Sequence, residues 1–167
     1  DAPQLAFAVK RFKLPIVNRG FQAMFLIGVL QRTTFDWDPG EPITAENQPY
    51  LQTEMNLIQL GPVHMLSVPG EMLPELAIGG YDGEHLHSPT AEIISPDNSN
   101  PPDLTQAPTG PFLKERMQGQ QNWILGLAND ELGYIIPPYN FKVHESAAFI
   151  LEPEGDHYEE TNSIGPH

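Results

Sequence analysis

Glu71 follows Val68-Pro69-Gly70 at the end of an apolar run. Proline cannot donate to a strand ladder, and glycine reaches backbone angles closed to other residues, so the run stops there and presents the Glu71 carboxylate at a turn. Active sites use such placements because the scaffold fixes the group while the loop exposes it. The same carboxylate is also suited to capping a following helix, where it would favour the free N–H groups and the positive end of the dipole. Tyr134, within Leu132-Gly133-Tyr134-Ile135-Ile136, reads from its surroundings as a core aromatic on a strand, its hydroxyl finding a nearby acceptor.

The histidines offer less. His85 and His87 would share one face of an extended segment, a workable metal pair, but their surroundings read as loop and exposed histidines are the plainer expectation. His64 falls within a strand and is expected to be packed or solvent-facing. His144, His157 and His167 are isolated, although His157 adjoins Tyr158-Glu159. Asp97-Asn98-Ser99-Asn100 followed by Asp103 supplies hard oxygen ligands without the spacing or terminal Glu of a calcium loop, so a solvated turn is expected. The sequence holds neither a Gly-rich phosphate loop nor a Gly-x-Ser-x-Gly elbow, which removes support for phosphoryl transfer and simple serine esterases.

These residues need elements to position them. Apolar side chains at 5, 7, 9, 12, 14 and 16 approach period two and predict a strand ending at Pro15, with Lys10, Arg11 and Lys13 interleaved as a solvated positive stripe. From Asn18, a good helix cap, Phe21, Met24, Phe25, Gly28 and Val29 recur at helical spacing. Residues 35–49 read as loop. Between Leu51 and Val68, two apolar runs separated by Gly61-Pro62 predict a hairpin. A short helix is expected over Pro74 to Ile78, since proline suits a first helical turn. Residues 79–121 form a long loop-rich insertion. Trp123-Ile124-Leu125-Gly126-Leu127-Ala128 and Leu132 to Ile136 predict two further core strands, or a strand and a bend, around Asn129-Asp130. Ala147 to Leu151 is the only later apolar run.

The 167 residues fit one folding unit, and a 40% hydrophobic content fits a globular fold, while 18 prolines and 14 glycines demand prominent loops. The expected class is α/β in the α+β sense: a mixed or antiparallel sheet with few helices and long loops. A formal charge of −14 opposes nucleic-acid and anionic-membrane binding while leaving room for a divalent cation. Without cysteine there is neither disulfide nor thiolate chemistry, and any metal must be held by His, carboxylate, Tyr or backbone oxygen. No apolar run approaches the roughly 20 residues that span a bilayer. The chain begins at Asp1 without an initiator Met, which raises the expectation of processing or of residues upstream.

Four segments in order, Thr53 to Gly61, Leu66 to Glu71, Leu127 to Ile135 and His157 to Pro166, resemble the later part of the neutral/alkaline, non-lysosomal ceramidase catalytic domain. The resemblance covers roughly residues 51–78 and 122–167, and 79–121 is longer than the family usually has. It implies amide hydrolysis of an N-acylsphingosine at a zinc site of two His, one Glu and one Tyr. Carried over residue by residue, it assigns Glu71 and Tyr134 as metal ligands. Zinc accepts oxygen donors and brings a bound water's pKa near neutrality, and its charge would stabilise phenolate character in a Tyr. The family's two His ligands belong to earlier motifs, and residues 1–50 contain no His. The resemblance therefore implies that the upstream part of the same domain or polypeptide completes the site. It allows a lipid amide substrate and a secreted or periplasmic setting, without specifying either. The alternatives are a non-catalytic scaffold or binding module that has lost the site, and a calcium-dependent interaction surface on the acidic loop.

Overall fold

A computed structural model of the chain describes residues 4–79 and 97–166. A four-stranded sheet has the order β1-β2-β3-β5, with β1 Leu5–Pro15, β2 Tyr50–Leu60, β3 Val63–Ser67 and β5 Gln121–Leu125. The first three strands run antiparallel, while β5 lies parallel to β3. A second, two-stranded parallel sheet pairs β4 Glu71–Met72 with β6 Tyr134–Ile135. Among the described residues there are four short α-helices, α1 Arg19–Leu26, α2 Pro74–Ile78, α3 Leu113–Arg116 and α4 Tyr158–Thr161, and two single-turn 3-10 helices, Leu104–Gln106 and Pro138–Asn140. A mixed sheet with few helices and long connections makes this an α+β fold. Among the described residues no helix is long and apolar enough to cross a membrane.

The hairpin forms where the sequence places it. Leu60 pairs with Val63 across a two-residue turn in which Gly61 takes φ +57°, a backbone state that glycine enters without Cβ strain, and Pro62 supplies a fixed φ. Asn18 caps α1 by accepting from the Gly20 and Phe21 N–H groups at 2.9 and 3.2 Å. The helix is shorter than its apolar spacing implies: it closes at Leu26, and Gly28 turns the chain away at φ +75°.

Asn18 also joins the two ends of the described chain. Its Nδ2 donates to the Thr161 and Ser163 carbonyls at 3.0 and 2.8 Å, and the Val17 and Asn18 amides both donate to the Ile164 carbonyl. Ile16, Leu51, Leu132 and Ile164 form the buried core beside this knot, with Leu14, Phe21 and Phe25 packed against it. A fully buried Asn is tolerable because both ends of its amide are satisfied.

The continuous register of the large sheet decides which side chains share a face. Phe12, Leu14 and Met55 stand on the face that turns toward α2 and α3. Leu5, Phe7, Val9, Leu60, Trp123 and Leu125 stand on the other, where Phe7 is 62% and Trp123 51% exposed. The expectation of core placement for the Trp123 run is thus corrected. β5 is an edge strand, and its alternate residues Trp123 and Leu125 point to an uncovered face. The basic residues of β1 make ordinary surface pairs, Arg11 with Glu54 at 2.9 Å and Lys13 with Asp36 at 2.7 Å.

Candidate functional site

The turn after β3 is held from both sides by backbone hydrogen bonds. The Val68 amide donates to Leu125, Leu127 to Gly70, Ala128 to Val68 and Leu132 to Pro69. The proline that ends the strand therefore still contributes an acceptor. Gly70 fits only as glycine, since a Cβ there would lie 2.5 Å from the Gly133 carbonyl oxygen and 2.9 Å from Ile135 Cγ1. That close approach lets Glu71 begin β4 directly opposite Tyr134, with the Glu71 amide donating to Gly133 at 3.0 Å.

Between β5 and β6 the chain takes positive φ at Leu127, Asn129, Glu131 and Gly133. Such conformations are costly for side-chain-bearing residues and persist where the surroundings over-determine them. The surroundings here are polar. Asn129 Nδ2 donates to the Glu54 carbonyl at 2.6 Å and to Ser67 Oγ at 3.1 Å, and Thr53 Oγ1 donates to Asp130 Oδ1 at 2.6 Å. Arg32 forms an ion pair with the same Asp130. The loop that delivers Tyr134 is thereby fastened to β2 and β3.

Opposed residues of a parallel ladder place their side chains on one face, so Tyr134 and Glu71 are neighbours. Desolvation, followed by the neighbouring Glu71 carboxylate, raises the Tyr134 phenol above its ordinary value. Glu71 is exposed and does not cap a helix. The N-cap of α2 is Leu73, which makes no side-chain capping bond, so the capping alternative is overturned. Tyr134 is half-buried, its ring edge-on to Tyr158 at 5.9 Å and 80°.

Tyr158 is held in place by a buried polar pair that sequence reasoning left unassigned. His157 precedes α4, and its Nδ1 lies 2.8 Å from Glu160 Oε1, both residues being almost fully enclosed. Asn100 Nδ2 approaches the same nitrogen at 2.9 Å, and the Lys142 amide donates to Glu160 at 3.1 Å. The one available sequence signal was the three-residue spacing of His157 and Glu160, which puts them on one side of a helical turn.

Beside the Glu71–Tyr134 pair lies an apolar cavity of about 470 Å³. Phe12 and Met55 of the large sheet, Met72 and Tyr134 of the small one, and Phe112 and Leu113 of the 79–121 insertion contribute to its walls. Residues 108–116 of the insertion thus roof the cavity. The remaining candidates stay apart from this site. His64 is half-buried on β3, His144 accepts from the Ser146 and Ala147 amides, and Asp103 accepts from Thr105 and Gln106 in its own turn. His85, His87 and His167 lie outside the described residues. Among the described residues no three His, Asp or Glu side chains converge as a metal-binding group.

No protein-family model matches the sequence, and neither the curated proteins nor the solved structures give a significant match.

Proposed function

We propose that this chain supplies Glu71 and Tyr134 as two oxygen ligands of a zinc centre that hydrolyses the amide bond of an N-acyl lipid. The observation that carries the reading is the direct opposition of Glu71 and Tyr134 across the β4–β6 ladder, with Tyr134 in the wall of an apolar cavity. A carboxylate and a phenol side by side suit a hard or borderline divalent cation, which would displace the phenol proton. This donor set fits half of a tetrahedral site. Two histidines from the upstream part of the same polypeptide complete it in this reading.

Zinc held there supplies Lewis acidity, polarising an amide carbonyl and making water nucleophilic near neutral pH. The chain's own residues do the positioning. Tyr134 reaches from the metal pair to the cavity wall, so an acyl chain lying in the cavity brings its amide toward the Glu71–Tyr134 pair. The exposed apolar sheet face of Leu5, Phe7, Val9, Leu60, Trp123 and Leu125 is the surface on which an upstream part would pack.

The test uses the full gene product. Zinc content near one per chain and hydrolysis of a fluorogenic N-acyl amide are expected, with both reduced at least about tenfold in Glu71→Gln and Tyr134→Phe. A full-length protein that binds no zinc and leaves the amide intact would replace this reading with the non-catalytic scaffold.

A further inference from the structure

A second pocket, of about 270 Å³, lies among Leu73 to Glu75, the 98–102 segment, Asn140, Asp156 and α4. Four carboxylates, those of Glu75, Asp156, Glu159 and Glu160, belong to its lining, which includes no basic side chain among the described residues. His157 answers Glu160. Glu75, Asp156 and Glu159 have no basic side chain within ion-pair distance among the described residues. Glu75 is only 6% exposed and stands between this pocket and the apolar cavity. Desolvation raises its pKa above the ordinary 4.5, against the smaller lowering effect of a hydrogen bond from its own amide. Asn140 reports the same deficit independently. It lines the polar pocket and not the apolar one, and its Oδ1 is enclosed without a hydrogen-bond donor. Enclosed oxygens are ordinarily satisfied, because they lose hydration that an apolar wall does not return. Two of them in one pocket call for a ligand that brings donors and positive charge.

We infer that this polar pocket binds a linear aliphatic diamine, its inner ammonium satisfied by Glu75 and Asn140, its methylenes against Pro102 and Ile136, and its outer ammonium held by Asp156 and Glu159. The distribution of charge selects this occupant over a point ion. Among the described residues no three carboxylates or histidines converge as a metal cage, so the negative charge is spread along the pocket. Exposure is graded too: Glu75 is buried, Glu159 half-buried and Asp156 exposed, which suits a ligand with one enclosed and one solvated end. Pro102 and Ile136 add apolar surface for the methylenes. Lys142 does not line the pocket; its Nζ donates to Asn100 Oδ1 at 3.2 Å and leaves these carboxylates unneutralised. The net charge of −14 draws cations from a distance. The zinc reading uses none of these groups, and diamine binding requires neither Glu71 nor metal, so the two stand or fall separately.

The experiment is calorimetry on the full gene product with diaminobutane, butylamine and butanediol in the presence of a chelator, and with calcium in its absence. Diaminobutane should bind once per chain and about threefold or more tighter than butylamine, the margin of a partly exposed ion pair, while butanediol does not bind measurably. Saturable one-to-one binding should persist at about 1 M salt, where the Debye length is about 3 Å and attraction to the acidic surface at large is screened. Glu75→Gln should weaken both amines at least about tenfold, the loss of an enclosed charge-assisted hydrogen bond. The double variant Asp156→Asn, Glu159→Gln should remove the diamine's margin while leaving butylamine within about twofold. Glu41→Gln, which removes the same charge from an exposed loop outside the pocket, should change neither. Where Glu75→Gln does not fold, the double variant decides. Calcium bound in preference to diaminobutane, several diamines per chain lost at high salt, binding by none, or equal losses in Glu75→Gln and Glu41→Gln would each overturn the inference.

Discussion

Tyr134 stands directly opposite Glu71 in the parallel β4–β6 ladder, near enough for that carboxylate to raise its phenol. Each strand of that ladder is two residues long, so it cannot stand alone, and the turn around Gly70 and the fastened 127–133 loop set its geometry. The Glu71 charge disfavours phenolate, and Glu71→Gln should therefore move Tyr134 ionisation to lower pH. Tyrosinate absorbance during alkaline titration would report this shift for one of the five tyrosines. No difference between the two titrations would separate the side chains in solution.

The glycines at the turn should divide sharply by surroundings. Gly70→Ala places its Cβ against Gly133 and Ile135, and Gly133→Ala combines φ +86° with a collision at the Asn162 carbonyl. Each is expected to cost about 2–4 kcal/mol in urea unfolding. Gly28→Ala, at φ +75° with nothing within 4 Å of the new Cβ, should cost only about 1 kcal/mol.

Glu75 gives a pH dependence of definite sign. Its folded-state pKa is raised, so the native state favours the protonated form. The unfavourable term is absent below the ordinary Glu range, grows as pH rises from the unfolded value through the folded one, and is complete above that. Glu75→Gln should therefore unfold at higher denaturant than wild type at pH 8, with the gain shrinking toward zero near pH 4. A pH-independent difference would show that Glu75 does not titrate differently on folding.

Glu160→Ala removes the carboxylate from a histidine that is 1% exposed. Leaving one partner of a buried hydrogen bond unsatisfied typically costs about 1–3 kcal/mol. Because His157 and Glu160 hold α4, the near-ultraviolet dichroism of the Tyr134–Tyr158 edge contact should weaken in the same variant. Loss of stability with an unchanged aromatic signal would detach this pair from the site.

Long elements were legible in the sequence and short ones were not. β1 and the β2–β3 hairpin follow from period-two apolar spacing and from Gly61-Pro62, and the start of α1 follows from Asn18. Periodicity says nothing about strands of two residues, so the opposition of Glu71 and Tyr134 had no local signal in the sequence. The outward placement of Trp123 and Leu125 escaped for another reason: alternation separates two faces without saying which one is covered. Glu75 escaped because a glutamate beside Pro74 on a short helix carries no mark of burial. The 127–133 loop was partly readable in its Asn-Asp and Gly, residues that tolerate positive φ, but the positive φ of Leu127 and Glu131 depends on bonds to β2 and β3.

The Asn18 knot has a consequence for the order of events in synthesis. A polypeptide leaves the ribosome N-terminus first, yet Asn18 receives two of its partners only when Thr161 and Ser163 have been made. The β1–β3 meander can assemble before the segment bearing Tyr158 has been made. Closure of the wall around Tyr134 thereby follows assembly of the meander during synthesis.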